Sequence, residues 1–333
     1  MMRVAVAEKL GAPLVIKQRP VPRPSPGEIV LNVKACGVCY TDLRIIDAIG
    51  GAAMPLVPGH EAAGVVAEVG DGVTGVRVGD RVGAHALFTC GDCAYCRAGE
   101  EEACLLGFTR LAGLAFDGGY AEYLRMPADH AIPLPASLSF ADAAPFFCAG
   151  LTSYAALKNG GLEAGQRVAI LGVGGLGHLA ISIARAMGAE VYAVTSSPDK
   201  VALALELGAT EAGDVEAMSA TLAARGGAHL VLQTANSLAP LAKILGGVAK
   251  QGTIVLAAAD GDALPIPPAV FTGLQLRVVG SFFGSRADVR EVLALAATHG
   301  IRPIIERFGL DAVNEAHDRL RLNKVRYRAV LEP

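Results

Sequence analysis

The sequence predicts an α/β protein of two domains, a small antiparallel barrel followed by a parallel sheet with helices on both faces. Three observations predict it. At 333 residues the chain exceeds the size at which one hydrophobic core usually stops growing. From Met1 to about Leu138 it shows short alternating runs broken by Gly and Pro, such as Glu28 to Lys34 and Gly64 to Gly70, the texture of strands and turns. After about Gly150 apolar runs alternate with helical segments, and that alternation is the mark of a parallel sheet. The runs are Arg167–Leu171, Glu190–Val194, His229–Leu232 and Thr253–Ala257; the helices include Leu176 to Met187 and Lys200 to Leu207. From about Phe282 the texture is mixed again, with a helix from Asp288 to Thr298 and a last apolar strand, Ala329–Leu331.

Composition narrows the function classes. Net charge is −3 with both signs interspersed, and no basic run or stripe offers a nucleic-acid footprint, so a small, lightly charged partner is expected. Arg3, Glu8 and Lys9 interrupt the apolar stretch from Met1 to Ile16, which therefore lacks a signal peptide's core. No segment supplies about 18 uninterrupted apolar residues for a membrane span. A soluble protein of the cytoplasm is the expectation.

Seven cysteines, an odd number with one tight cluster, read as metal ligands in a reducing compartment rather than a disulfide framework. Cys90-x-x-Cys93-x-x-Cys96 and, eight positions on, Cys104 can close a tetrahedron of thiolates on one Zn(II). A shell of four thiolates leaves no position for substrate, so this zinc is read as structural.

Gly172-x-Gly174-Gly175-Leu176-Gly177 follows the strand 167–171 and opens the next helix. In that setting the glycines permit a tight turn and close approach of a pyrophosphate, which the helix N-terminus receives with free N–H groups. A carboxylate for a ribose 2′-hydroxyl is expected about 20 residues on. The sequence has Thr195, Ser196 and Ser197 there, followed by Asp199 and Lys200. Hydroxyls and an ammonium suit a 2′-phosphate, so NADP(H) is preferred, with NAD(H) left open through Asp199.

Cys39, His60 and Cys148 are the candidates for a second, open site, because two thiolates and one imidazole with a fourth position free make a catalytic zinc centre. Singly each has a plainer reading, as a core thiol or a turn histidine. Together with their surroundings they carry a resemblance. Gly37 to Asp42, Gly59-His60-Glu61 to Gly64, the four-cysteine stretch, Cys148 to Thr152 and the loop 172–177 occur in an order and spacing that resembles the zinc-dependent medium-chain alcohol dehydrogenases over nearly the whole chain.

The resemblance implies a GroES-like β-barrel catalytic domain, residues 1–150 with 282–333 returning to it, and a Rossmann doubly wound domain over 151–281, the active site in the cleft between them. It implies that Cys39, His60 and Cys148 hold the catalytic zinc, with Glu61 as alternate ligand, two Zn(II) per chain in all. Asp42 then accepts a hydrogen bond from the other ring nitrogen of His60, although a turn cap is its equal reading from sequence. Thr41 belongs beside the substrate oxygen as the first step of a proton relay, Thr152 against the nicotinamide, and Arg328 on the pyrophosphate. Cys36 matches no ligand and is expected to be a core thiol. Tyr40 stands where many relatives carry a basic residue, and Arg44 where some end the relay in histidine; arginine cannot shuttle protons at neutral pH.

The implied reaction is reversible hydride transfer between a small alcohol and its aldehyde or ketone. A polyol or sugar dehydrogenase is the runner-up, set back by the apolar segments expected in the pocket, Ala86 to Phe88 and Ala257 to Ala259. A zinc-ribbon interaction module would need basic residues around Cys90 to Cys104, and a zinc-free quinone reductase would lack the ligand set. A homodimer or homotetramer is expected from the resemblance.

Overall fold

The computed structural model describes residues 1–47, 52–258 and 263–333; Ala259, expected in a pocket wall, lies outside them. Two compact units emerge, Met1–Cys148 with Gly284–Ala297 and Arg302–Pro333, and Ala149–Phe283 with Thr298–Ile301. The return to the first unit therefore begins at Gly284, two residues after the expected point.

The first unit is built on strands β1 (Met2–Val6), β2 (Val15–Arg19), β3 (Glu28–Val38), β4 (Glu61–Val69), β5 (Arg81–Ala84), β6 (Tyr123–Pro127) and β7 (Ala131–Pro133). β1 and β2 pair with each other. The main sheet runs Ile305–Gly309, Arg328–Glu332, β3, β4, β5, β7, with β6 also on β3. β3 is its longest strand and outruns the expected Glu28–Lys34, because Ala35, Cys36 and Gly37 find partners on β4 and Cys36 to Val38 find them on Ala329 to Leu331. Ile29, Leu31, Val33 and Ala35 are buried on the core face; on the other face Asn32 and Lys34 reach towards solvent while Val30 is buried as well. Phe146 and Phe147 help to fill that core, and a Cβ at Gly83 would sit 2.0 Å from the Phe147 ring. β4 begins at Glu61, not Gly64, and that start puts Glu61 directly opposite Gly37.

The second unit has six parallel strands: β8 (Arg167–Leu171), β9 (Glu190–Val194), β10 (Glu211–Gly213), β11 (Ala228–Gln233), β12 (Val248–Leu256) and β13 (Arg277–Gly280). Their spatial order is β10-β9-β8-β11-β12-β13. Counted from β8 this is 3-2-1-4-5-6, the order of dinucleotide-binding doubly wound sheets, whose ligands lie beyond the strand C-termini where the order reverses. Val168 to Leu171 are all fully buried, since helices cover both faces and the strand needs no polar side. β12 starts five residues before the expected Thr253, its extension including the left-handed Gln251 and a register shift opposite Ala228 to Leu230.

Helix ends differ from expectation for local reasons. The helix expected at Lys200–Leu207 runs Pro198–Glu206, since a proline with its fixed φ is well placed in a first turn. The one expected at Asp288–Thr298 runs Arg286–His299. Ser285 and Asp288 cap it reciprocally, the Asp288 N–H donating to Ser285 Oγ (3.1 Å) and the Ser285 N–H to Asp288 Oδ2 (2.9 Å). The helix after the glycine loop runs Gly177–Ala186, one residue shorter at each end than expected. No helix of the described residues is long and apolar enough to cross a membrane.

Candidate functional site

The four-cysteine lobe forms its cluster locally. Cys93 caps a short helix, α2 (Ala94–Ala98), whose turn brings Cys96 back beside it, and Gly99 in the left-handed region ends that helix. All four sulfurs lie within 4.8 Å of one another, with Cys90 to Cys96 at 3.8 Å and Cys90 to Cys104 at 3.7 Å. A Zn–S length of about 2.3 Å gives a tetrahedral edge of about 3.8 Å, so the spacing fits zinc. Backbone N–H groups point at the sulfurs, Cys93 N to Cys90 Sγ at 3.3 Å and Cys90 N to Cys104 Sγ at 3.5 Å. The N–H groups of Cys96 and Leu105 hold the Cys93 thiol down to about 6. Desolvation, and then the hydrogen bond to Cys93, pushes Cys96 up to about 12. Four sulfurs so close resist ionising together, and a divalent cation removes that resistance.

The second cluster is assembled from separate segments. Cys39 leaves β3 and caps α1 (Tyr40–Ile46), its sulfur accepting the Thr41 N–H at 3.5 Å while Asp42 Oδ2 accepts the Cys39 N–H at 2.9 Å. His60 precedes β4, and Cys148 ends the short helical turn Ala144–Phe147. The ligand atoms of Cys39, His60, Glu61 and Cys148 lie within 4.8 Å of one another, and the two sulfurs are 3.8 Å apart, again the zinc edge. His60 Nδ1 is 2.8 Å from Asp42 Oδ1, an arrangement that puts the ring proton there and leaves Nε2, 4.0 Å from Glu61 Oε1, for ligation. Asp42, for which a turn cap and a histidine partner were equal readings, serves as both.

Burial and mutual contact shift the titrating groups of the centre strongly. Burial disfavours the His60 imidazolium, but the charge and hydrogen bond of Asp42 outweigh it and hold the ring well above its usual range. The hydrogen bond from Cys148 holds Cys39 well below the ordinary thiol value, against burial, while Cys148 is raised. Burial drives the Glu61 carboxyl up to about 7 despite the Arg328 guanidinium beside it. Glu61 Oε1 is hydrogen-bonded to Arg328, whereas Oε2 is buried with no partner among the described residues, an acceptor still to be satisfied. Gly37 makes that position available, since a Cβ there would lie 2.0 Å from Oε2.

Thr41 Oγ1 lies 3.6 Å from the Cys39 sulfur. The Tyr40 hydroxyl is spent on the Leu320 carbonyl (3.0 Å) and Asn323 Oδ1 (2.8 Å). Arg328, expected on a pyrophosphate, is buried with its guanidinium on Glu61, so its charge lies against the carboxylate of the Cys39, His60 and Cys148 cluster. Cys36 is fully buried, and Ala86, Leu87 and Phe88 are buried too. Reading the sequence misses Tyr120, whose hydroxyl donates to Asp42 Oδ2 at 2.9 Å. The pair Gly118-Gly119 before it, two residues without side chains leading into a tyrosine, is the only signal in the sequence.

In the second unit the glycine loop joins β8 to the helix Gly177–Ala186, α4 in chain order after α3 (Ala149–Asn159). Gly172 is left-handed (φ +97°) and a Cβ at Gly177 would meet the Gly172 carbonyl at 1.9 Å, so both positions require glycine. Gly174 faces open space, with nothing within 4 Å of where its Cβ would be, and beside it lie Gly175 and Leu176. Thr234 Oγ1 is 2.9 Å from both the Leu171 and Gly172 carbonyls, and Ser153 Oγ donates to the Leu176 carbonyl at 3.2 Å, so the loop is braced from two sides. Thr152, next to Ser153, is buried. Beyond β9, Thr195, Ser197 and Lys200 are half-buried and Ser196 is exposed. Thr195 Oγ1 accepts the Ser197 N–H at 3.3 Å, leaving its own proton to donate.

A saturated thiolate cluster, a mixed thiolate and imidazole cluster with an unsatisfied carboxylate, and a glycine turn at a doubly wound sheet define a class, the zinc-binding nicotinamide oxidoreductases. Residues 25–136 match the family model of the alcohol dehydrogenase GroES-like domain and residues 175–298 that of the zinc-binding dehydrogenases. An alcohol dehydrogenase of Geobacillus stearothermophilus is 40% identical over 339 residues, covering 99% of both chains. NADP-dependent alcohol dehydrogenase C of Mycobacterium bovis is 34% identical over 317 residues, covering 93% of this chain and 92% of its own. A crystal structure of an NAD-dependent alcohol dehydrogenase superposes with a TM-score of 0.92 at 28% identity, covering 100% of each chain. The chain belongs to the zinc-type medium-chain dehydrogenase/reductase family.

Proposed function

We propose that the protein is a zinc-dependent alcohol dehydrogenase that moves a hydride reversibly between a small alcohol and NADP(H), forming an aldehyde or ketone. The observation that carries this reading is the Cys39, His60 and Cys148 cluster, three ligand atoms of the right kind at zinc spacing with one further position beside Glu61. Cys39, His60 and Cys148 hold one zinc, and Cys90, Cys93, Cys96 and Cys104 hold a second. The first zinc supplies Lewis-acid polarisation of the substrate oxygen, and the nicotinamide supplies or accepts the hydride.

The chain's own residues do the rest. Asp42 keeps the His60 proton on Nδ1 and so keeps Nε2 a ligand. Thr41, a hydroxyl next to a ligand sulfur, holds the substrate's hydroxyl proton at Oγ1. Glu61, with one oxygen on Arg328 and the other unsatisfied, would be the carboxylate able to take the place of a departing ligand. Gly172, Gly174, Gly175, Leu176 and Gly177 receive the pyrophosphate at a helix N-terminus, with Thr152 lying along the nicotinamide side. Thr195, Ser196, Ser197 and Lys200 receive the 2′-phosphate.

The test combines metal analysis with cofactor kinetics. About two zinc ions per chain and a kcat/KM with NADPH at least about tenfold above that with NADH are expected, the tenfold being the weight of one charge-assisted contact. A single zinc overturns the two-site reading. An NADH preference shifts the cofactor to NAD(H), with Asp199 taking the ribose.

A further inference from the structure

The carboxylate of Asp42 is fully buried and takes three hydrogen bonds. Two come from the residues it serves, the Cys39 N–H at 2.9 Å and His60 Nδ1 at 2.8 Å. The third, from the Tyr120 hydroxyl at 2.9 Å, arrives from a segment 78 residues away and belongs to no candidate ligand. We propose that Tyr120 is a positioning residue for the Cys39, His60 and Cys148 metal centre, acting through Asp42; the inference rests on the metal reading above and takes it one layer outward.

Tyr120 is built to hold two things at once. Its segment is hydrogen-bonded to the one that delivers His60: Gly118 N to the Val57 carbonyl (2.7 Å), Gly119 N to Gly59 (2.8 Å) and Tyr120 N to Pro58 (3.0 Å). Its ring fills the space that Gly59 leaves, where a Cβ would lie 2.4 Å from Tyr120 Cδ1, and Gly59 is itself left-handed at φ +99°. The His317 ring, 5.7 Å away by centroid, backs the tyrosine ring, and both are buried. The main chain of Tyr120 thus sets where His60 enters, and its hydroxyl sets how the Asp42 carboxylate is rotated. Carboxylate rotation fixes the plane of the imidazole, since Oδ1 accepts the hydrogen bond from Nδ1–H. Without the hydroxyl, Oδ2 keeps only the Cys39 N–H, and among the described residues no hydrogen bond from outside the candidate ligand set holds the carboxylate.

Tyr120→Phe removes one oxygen and keeps the ring against Gly59. In the full-length zinc-loaded protein, competition with a chromophoric chelator reads each metal site separately when Cys39→Ser is run alongside to mark the four-cysteine site. The expected result is a roughly 10- to 100-fold loss of zinc affinity at the Cys39, His60 and Cys148 centre, with the four-cysteine affinity unchanged. A residue needed only for packing would move neither. Repeating the substitution on Asp42→Asn should add little, because the coupling runs through the carboxylate. Wild-type affinity in Tyr120→Phe, or the same loss in both backgrounds, overturns the inference alone. A wild-type protein that binds only one zinc overturns the metal reading and this inference with it.

Discussion

The two sulfur clusters of this chain are opposites in construction. The four-cysteine cluster is spelled out within 15 consecutive positions, Cys90 to Cys104, and its sulfurs meet through one short helix and its turns. Cys90 is exposed, Cys93 and Cys96 are half-buried, and Cys104 alone of the four is buried. The other cluster draws Cys39, His60 and Cys148 from three distant segments, and all three are buried. Around them stand Asp42, Tyr120, Glu61 and Arg328, each buried and each hydrogen-bonded to another of the group or to a ligand. A local site closes with what its own loop provides. An assembled one needs a scaffold, and that scaffold can leave one position open and hold it so.

The largest effect that would break this contrast is on turnover. Cys39→Ser should bring activity below detection and lower bound zinc by one ion per chain, while circular dichroism and the melting temperature stay near wild type. An active Cys39→Ser protein would mean that the buried cluster is not the reacting one. Cys93→Ser is the mirror experiment and should act on stability. Structural zinc contributes several kcal/mol to folding, so Tm should fall on the order of 10 °C, with activity per remaining zinc at low temperature close to wild type. If turnover fell as steeply as for Cys39→Ser, the division into a bracing site and a reacting site would be wrong.

The same contrast decides what could be read from the sequence. The thiolate cluster, the strands Arg167–Leu171 and Glu190–Val194 and the glycine loop are local patterns, and the structure places them within the residues expected. Helix ends moved by one or two residues where capping by Ser285 with Asp288, or the proline at 198, outweighed periodicity. Tyr120 was not singled out, and Gly37 entered only as the first residue of the Gly37 to Asp42 motif with no role of its own, because each acts on a partner many residues away. Nothing around Gly37 announces that Glu61 will stand opposite and need the space. For Arg328 the family position indicated an anion, and the nearest anion inside the unit is Glu61, reached because Arg328 starts the strand that pairs with β3. Buried charge is balanced by the closest charge of opposite sign, and sequence separation of 267 residues hides which that is.

A smaller effect sharpens the comparison by asking how local the exposed lobe is. Glu101, between Cys96 and Cys104, accepts from Arg286 at Nε (2.8 Å) and at the backbone N–H (2.9 Å), and Arg286 reaches Asp129 Oδ2 at 2.8 Å. The lobe is thus pinned by a charged residue at the head of the Arg286–His299 helix. Asp129 also accepts from His130 Nδ1 at 2.7 Å, and that hydrogen bond first, then the His130 charge and after it the Arg286 charge, brings its carboxyl down to about 2 against burial. A depressed carboxylate contributes stability that is present above its ordinary value, about 3.8, and is lost as pH falls through about 2. The shift corresponds to at most about 2.5 kcal/mol. With the Asp129 side chain 64% exposed, solvent screening reduces it to about 1 kcal/mol. Asp129→Asn should therefore lie about 1 kcal/mol below wild type in urea unfolding at pH 7. That gap should stay constant down to about pH 4 and close towards pH 2. A gap that persisted unchanged at pH 2 would show that the Asp129 pairing is not ionic, leaving Glu101 as the one charged partner by which Arg286 holds the lobe.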